Sequence, residues 1–393
     1  MSLNQAPTGE RIHIGFFGSV NAGKSSLVNK ITNQDLSVVS DIKGTTTDLV
    51  QKNMELLPLG AVTIIDAPGF GDDSEIGNLR INKAKRAINY TDIAVLVVDG
   101  TTGISCEDKK LAEIFKNKNI PYIIAYTKAD LLKKLPETQK NEVYVSSVTG
   151  QNIDNLKDML AGIMPKGKEK KILEGLVKKD DTVVLVIPVD EAAPKGRILL
   201  PQQQVLREIL DIGAVAVCCK DTELSETLNR FKSAPELVIT DSQAFGKVMK
   251  IVPESILLTS FSILFARYKG ELDILLGGAD ALDNLKDGSK VLISEGCTHH
   301  RQCGDIGSVK LPLWIKKYTG KNIEFSFTSG MEFPENLTDF DLIIHCGGCM
   351  LNQREMKSRL EFAKDENVPI TNYGMVISKV NGILERATKL FSM

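Results

Sequence analysis

Short runs rich in valine and isoleucine alternate, along nearly the whole chain, with stretches whose apolar residues recur at helical spacing. The first pattern is that of buried strands and the second that of amphipathic helices. Their alternation predicts α/β architecture with largely parallel sheets. In the first 165 residues the expected strands are IHIGFFG, VTIIDAP, IAVLVVDG, PYIIAYT and VYVSS. The pattern breaks at Met164-Pro165 and the charged run KGKEKK, which reads as a solvated linker because its surroundings balance it. A second unit starts near TVVLVIPVD, continues through a helix near QQQVLREIL, and reaches AVAVCC and ELVIT. A third runs from about residue 266 through KVLISEGC, IEFSFTSG, DLIIHCGG and PITNYGMVI. The expected division is 1–167, 172–265 and 266–393, and no internal repeat suggests a solenoid.

Composition narrows the function. With 393 residues the chain is too long for one ordinary core, and 42% hydrophobic content leaves ample burial. A formal net charge of −2 argues against nucleic acid or an anionic membrane as main partner. No basic-then-apolar N-terminal stretch marks a signal peptide, and the longest apolar run, ILLTSFSILFA from Ile256 to Ala266, is too short to span a bilayer. The expectation is a cytoplasmic protein, whose seven cysteines are thiols, ligands or nucleophiles rather than disulfides. Cys218 and Cys219, in AVAVCC, read as buried small hydrophobes.

The segment GSVNAGKS, Gly18 to Ser25, fits G-x-x-x-x-G-K-S after a strand and before a helical pattern. Its glycines let backbone N–H groups wrap a phosphate chain, with Asn21, Ala22, Gly23 and Ser26 in or beside the wrap. Lys24 is expected on the β- and γ-phosphates and Ser25 on magnesium. Two later segments specify guanine. DAPG ends an apolar strand, so Asp66 can hold magnesium through water and the Gly69 N–H can sense the γ-phosphate. TKAD follows another strand, so Asp130 can accept from the two donors on the guanine edge while Lys128 covers the base. The order resembles that of the small GTPases. The resemblance implies GTTTD (Gly44 to Asp48) as the first switch, with Thr46 on magnesium, and SSVTG as the last base-contacting loop, with Ser146 and Ser147. Thr127 stands where that pattern has asparagine, and Phe70 where Ras-like enzymes place a water-orienting glutamine. Asn21 resembles the residue that helps hold potassium in the tRNA-modification GTPase MnmE and its relatives. Lys24, Asn21, Thr46 and Gly69 are the expected participants in hydrolysis, with potassium stimulating it.

A second constellation lies near the C-terminus. Cys297, Cys303, Cys346 and Cys349 fall in two short windows, as do His299, His300 and His345, three of only four histidines. EGCTHHRQC and HCGGC each follow an apolar strand, and carboxyl ends of neighbouring parallel strands converge on one crevice. Zinc would accept the mixed sulfur and nitrogen donors. An iron–sulfur cluster prefers thiolates, and Gly347 and Gly348 would let backbone N–H groups approach its sulfurs. A thiol redox pair is a third reading of C-x-x-C.

A GTPase domain followed by C-x-H…H-C-x-x-C resembles the HydF family, GTPase scaffolds of FeFe-hydrogenase maturation. EAAPKGRILLPQQQ, Glu191 to Gln204, is similar to that family's middle domain. The resemblance implies a GTPase domain, a homodimerisation domain and a domain binding a 4Fe–4S cluster through Cys297, Cys346 and Cys349, with His299 and His345 as further candidate ligands. It also implies GTP/GDP, Mg2+ and K+ as cofactors, and a di-iron subcluster precursor as cargo. The implied partners are apo FeFe-hydrogenase and radical-SAM maturation proteins.

Overall fold

The computed structural model describes residues 8–34, 50–70, 83–164, 171–188, 198–296, 305–348 and 350–391. The chain divides into two compact units, Met1–Gly167 and Lys168–Met393.

The first unit contains strands β1 (Ile12–Phe17), β2 (Val50–Leu56), β3 (Gly60–Asp66), β4 (Ile93–Asp99), β5 (Tyr122–Thr127) and β6 (Glu142–Tyr144). Its helices are α1 (Lys24–Thr32), α2 (described over 83–89), α3 (Cys106–Asn117) and α4 (Ile153–Gly162). The strands form one sheet in the order β2-β3-β1-β4-β5-β6, parallel except for β2. All five expected strands are present. β2 is the addition: its sequence, VQKNMEL, is polar at most positions because it lies at the sheet edge with most side chains exposed. The chain leaves β1 to form its neighbours on one side and returns on the other, so the carboxyl end of β1 opens a crevice at a topological switch point. Apolar side chains fill both faces. Ile14, Leu27, Val62 and Leu156 pack on one, and Phe17, Ile65, Leu96 and Phe115 on the other.

The second unit opens with β7 (Thr182–Val186), α5 (Leu200–Ile212), β8 (Val215–Cys219), α6 (Leu224–Asn229), β9 (Leu237–Thr240), α7 (Phe245–Ile251) and β10 (Leu257–Ser260). It continues through α8 (Phe261–Lys269), α9 (Leu272–Asp280), β11 (Lys290–Glu295), α10 (Leu311–Thr319), β12 (Glu324–Ser329) and β13 (Leu342–His345). The closing elements are α11 (Gln353–Asp365), β14 (Ile370–Asn372), α12 (Tyr373–Val380) and α13 (Leu384–Thr388). Two all-parallel four-stranded sheets result, in the orders β10-β9-β7-β8 and β12-β11-β13-β14. One hydrophobic cluster joins them, containing Val184, Val238 and Leu258 with Leu292, Ile343 and Leu360.

The apolar run from Ile256 to Ala266 is a strand and a helix end to end, because the Ser260 hydroxyl accepts from the Ile263 N–H and caps α8. One reading changes here, at Cys218 and Cys219. Cys218 is exposed and Cys219 half-buried, contrary to the expectation of burial, because β8 is an edge strand of its sheet. Among the described residues no helix is long and apolar enough to cross a membrane.

Candidate functional site

The phosphate loop follows β1 directly. A Cβ at Gly18 would sit 2.1 Å from the Val97 carbonyl oxygen, so the close pass against β4 admits only glycine. Asn21 takes a left-handed backbone (φ 64) and is exposed, while Gly23 (φ 86) caps α1. Lys24 is buried, and its ammonium donates to the carbonyls of Gly18 (3.1 Å) and Ser19 (2.7 Å). Burial pushes it down to about 8, against the pull of Asp66 and Asp108. The Ser25 hydroxyl donates to Asp66 at 2.8 Å, so the two expected magnesium donors already face one another. Both are hard oxygen donors, as magnesium requires.

Gly69 lies against the same loop: a Cβ there would meet Val20 at 2.9 Å and the Lys24 ammonium at 3.1 Å. The Phe70 N–H donates to the Gly18 carbonyl, and the Phe70 ring is buried beside Phe17, Ala67 and Ala84. It therefore leaves no polar side chain at the position where a glutamine would orient water.

The residues expected at the base assemble at the ends of β5 and β6. The Ser146 hydroxyl donates to the Asp130 carboxylate at 2.5 Å, and the Ala129 N–H donates to the Val145 carbonyl. Lys128 pairs with Asp99. Thr127 donates its single hydroxyl proton to the carbonyls of Ala22 (2.7 Å) and Val98 (3.1 Å). It ties this loop to the phosphate loop and has no proton left for a base. Ser26 and Ser147 line one cleft with Asn29 and Lys30. Thr46 lies outside the described residues.

Sequence reasoning passed over a tether behind the loop. Buried Asp108 accepts from the Ser19 hydroxyl (3.0 Å) and from the Ser105 N–H and hydroxyl, in a capping box that starts α3. The S-x-x-D spacing was visible in the sequence, but its contact with Ser19 was not.

The strands that precede the two cysteine windows lie side by side at the second unit's own switch point. β12 lies on one side of β11 and β13 on the other, and Ser294 on β11 pairs with His345 on β13. Cys346 follows at once. Its N–H donates to the Ser294 carbonyl, and its sulfur accepts N–H bonds from Gly296 (2.9 Å) and Gly348 (3.4 Å). Two backbone donors aimed at one sulfur suit a thiolate, the form in which cysteine binds metal. Cys297, His299, Cys303 and Cys349 lie outside the described residues. Among the described residues no three histidine, cysteine or acidic side chains converge as a metal site.

His345 is fully buried, with both ring nitrogens engaged: Nδ1 with the Cys346 carbonyl (2.8 Å) and Nε2 with Arg359 (2.9 Å). Burial and the neighbouring guanidinium push it down to about 3, so the ring is neutral, donating from Nδ1 and accepting at Nε2. Arg359 is itself held by Glu355 (2.7 Å) and lies over the Phe333 ring. Across the crevice the Tyr373 hydroxyl donates to Glu295 at 3.1 Å, and burial with that carboxylate pushes the phenol up. Arg359, Glu295 and Tyr373 were not anticipated. E-x-x-x-R is an ordinary surface pattern on a helix, and only burial makes it a structural pair.

The phosphate loop after β1, the TKAD segment after β5 and the parallel sheet make the first unit a P-loop GTPase domain. Residues 13–128 match the family "50S ribosome-binding GTPase". Residues 172–270 match "Hydrogen maturase F dimerization domain" and residues 273–390 match "Hydrogen maturase F tetramerization domain". The chain belongs to the hydrogen maturase F family, HydF. Its GTPase part is 33% identical over 170 residues to GTPase Der of Kosmotoga olearia, covering 38% of each chain. It is 28% identical over 172 residues to the tRNA modification GTPase MnmE of Thermotoga petrophila, covering 40% of this chain and 38% of that one. The chain thus spans under two fifths of the length of these curated relatives. Among solved structures, an Era variant from Aquifex aeolicus bound to GDP and AlF4− aligns over 61% of this chain and 97% of that one, with 18% identity and a TM-score of 0.36.

Proposed function

We propose that this protein is a GTP-hydrolysing scaffold of FeFe-hydrogenase maturation, binding a 4Fe–4S cluster in its second unit. The single observation that carries the cluster reading is the Cys346 sulfur, set at the switch point with two backbone N–H donors on it. Cys297 and Cys349, one residue beyond Gly296 and Gly348, would supply the remaining thiolates. Three thiolates leave one iron for an exchangeable ligand. His299 remains a candidate for it, whereas both nitrogens of His345 are spent inside the chain, which supports a positioning role. When bound, such a cluster supplies electron transfer and an addressable iron. The cargo in this reading is the di-iron subcluster precursor, taken up from radical-SAM maturation proteins and handed to apo-hydrogenase.

In the first unit Lys24 would leave its two loop carbonyls for the β- and γ-phosphates. Ser25, Asp66 and Thr46 would hold magnesium, which offsets phosphate charge, and the Gly69 N–H would read the γ-phosphate. Asp130 would select guanine. With Phe70 buried, transition-state charge must be met otherwise, and Asn21 with a potassium ion is our candidate. Two copies would pair through the 172–265 region, where β8 offers an edge with Val215 53% exposed.

Anaerobic reconstitution with iron and sulfide tests this. Wild-type protein should hold four irons with acid-labile sulfide, Cys346→Ser should lose them, and GTP turnover should be unchanged in the variant. Stoichiometric zinc that iron cannot displace would instead mark a zinc-stabilised GTP switch.

A further inference from the structure

Lys269 is the last residue of α8, which begins at the end of β10 in the other sheet of the unit. It is 5% exposed, a rare state for a lysine. Its ammonium donates to two backbone carbonyls of the loop after β13, those of Gly348 (2.9 Å) and Leu351 (2.8 Å). The Leu351 N–H closes the same turn onto the Gly348 carbonyl at 3.0 Å. Gly348 cannot settle elsewhere by taking a side chain: its φ is +60, and a Cβ would lie 2.7 Å from the Met356 sulfur. The N–H of that same glycine points at the Cys346 sulfur.

We propose that Lys269 is a positioning residue for Cys346, acting through Gly348. One buried cation pins both ends of the turn, so the Gly348 N–H stays aimed at the sulfur. The loop is therefore referenced to the C-terminal end of α8 as well as to β13. Nothing in the sequence announces this, since a lysine closing a helix is the commonest of C-terminal residues. The value of the arrangement rests on Cys346 being a cluster ligand, whereas the contacts themselves do not.

The test uses the full chain and two readouts. In metal-free protein, hydrogen exchange by mass spectrometry follows the peptide over 346–352. Lys269→Met should raise exchange there about tenfold, roughly the loss of one charged hydrogen bond. Peptides from β7 and β9 should not change. In reconstituted protein, the same variant should lose iron to a chelator about tenfold faster and shift the paramagnetic signal of the reduced cluster. Lys269→Arg, still a cation with several donors, should restore most of both. Exchange in 346–352 equal to wild type, or a rise shared by β7 and β9, overturns the inference. If wild type takes up no iron while exchange behaves as expected, the cluster reading fails and the positioning of Cys346 stands. If methionine at this position prevents folding, judged by circular dichroism, Lys269→Gln is read by the same two measurements. Wild-type values in both then overturn the inference.

Discussion

Replacing Lys24 by methionine should leave the nucleotide-free protein about as stable at pH 7 but remove its pH dependence, while destroying the site. The buried ammonium sits at about 8, against an ordinary value of 10.5. That gap corresponds to about 3 kcal/mol by which folding disfavours the charged form. Methionine keeps the unbranched stem and removes the charge. It also removes two hydrogen bonds, but neither carbonyl is orphaned. Gly18 still accepts from the Phe70 N–H and Ser19 from the Ala22 N–H. Losing the two bonds from a charged donor takes back about 3 kcal/mol, so the two effects nearly cancel at pH 7. The sign with pH follows from linkage. Below pH 8 lysine is charged in both states and the penalty is fully present. Between about 8 and 10.5 the unfolded chain binds more protons than the folded one, so wild-type stability rises with pH and the penalty fades. Calorimetry at pH 7 and pH 10 should therefore show Lys24→Met melting level with wild type at pH 7 and roughly 4–8 °C below it at pH 10. Saturating GTP should lift wild type above the variant at pH 7, because only wild type gains binding energy. A difference between the two proteins that does not change with pH would refute the reasoning.

Two further outcomes bear on catalysis and assembly. Exchanging potassium for sodium should slow GTP turnover by roughly 10²–10³, the loss of about 3–4 kcal/mol of transition-state stabilisation, and Asn21→Ala should abolish the difference between the salts. Equal turnover of wild type in both salts leaves Asn21 explained by its left-handed backbone alone. Val215→Lys, a charge on the exposed edge of β8, should convert a dimer to a monomer in light scattering. Persistence of the dimer places the interface elsewhere. A point change is the cleaner probe, because deleting 172–265 would cut through the hydrophobic cluster that both sheets share.

The α/β class, the parallel strands of the nucleotide unit and the pattern of the phosphate loop were legible in the sequence. Each of these is local. A fully buried parallel strand must be apolar along its length, and a loop that wraps phosphate must carry glycine, lysine and serine at fixed offsets. Edge strand β2 escaped because exposure lets its side chains be polar, and Cys218 was misplaced because AVAVCC looks the same at an edge as at a centre. The neutral, doubly bonded state of His345, the Asp108 tether on Ser19 and the grip of Lys269 on the cysteine loop were decided only by tertiary structure. The last two join residues 89 and 79 positions apart, and the first joins a strand end to the helix that follows it. Whether a charged side chain meets water or a buried carbonyl depends on which elements pack together, and side-chain identity alone does not encode that.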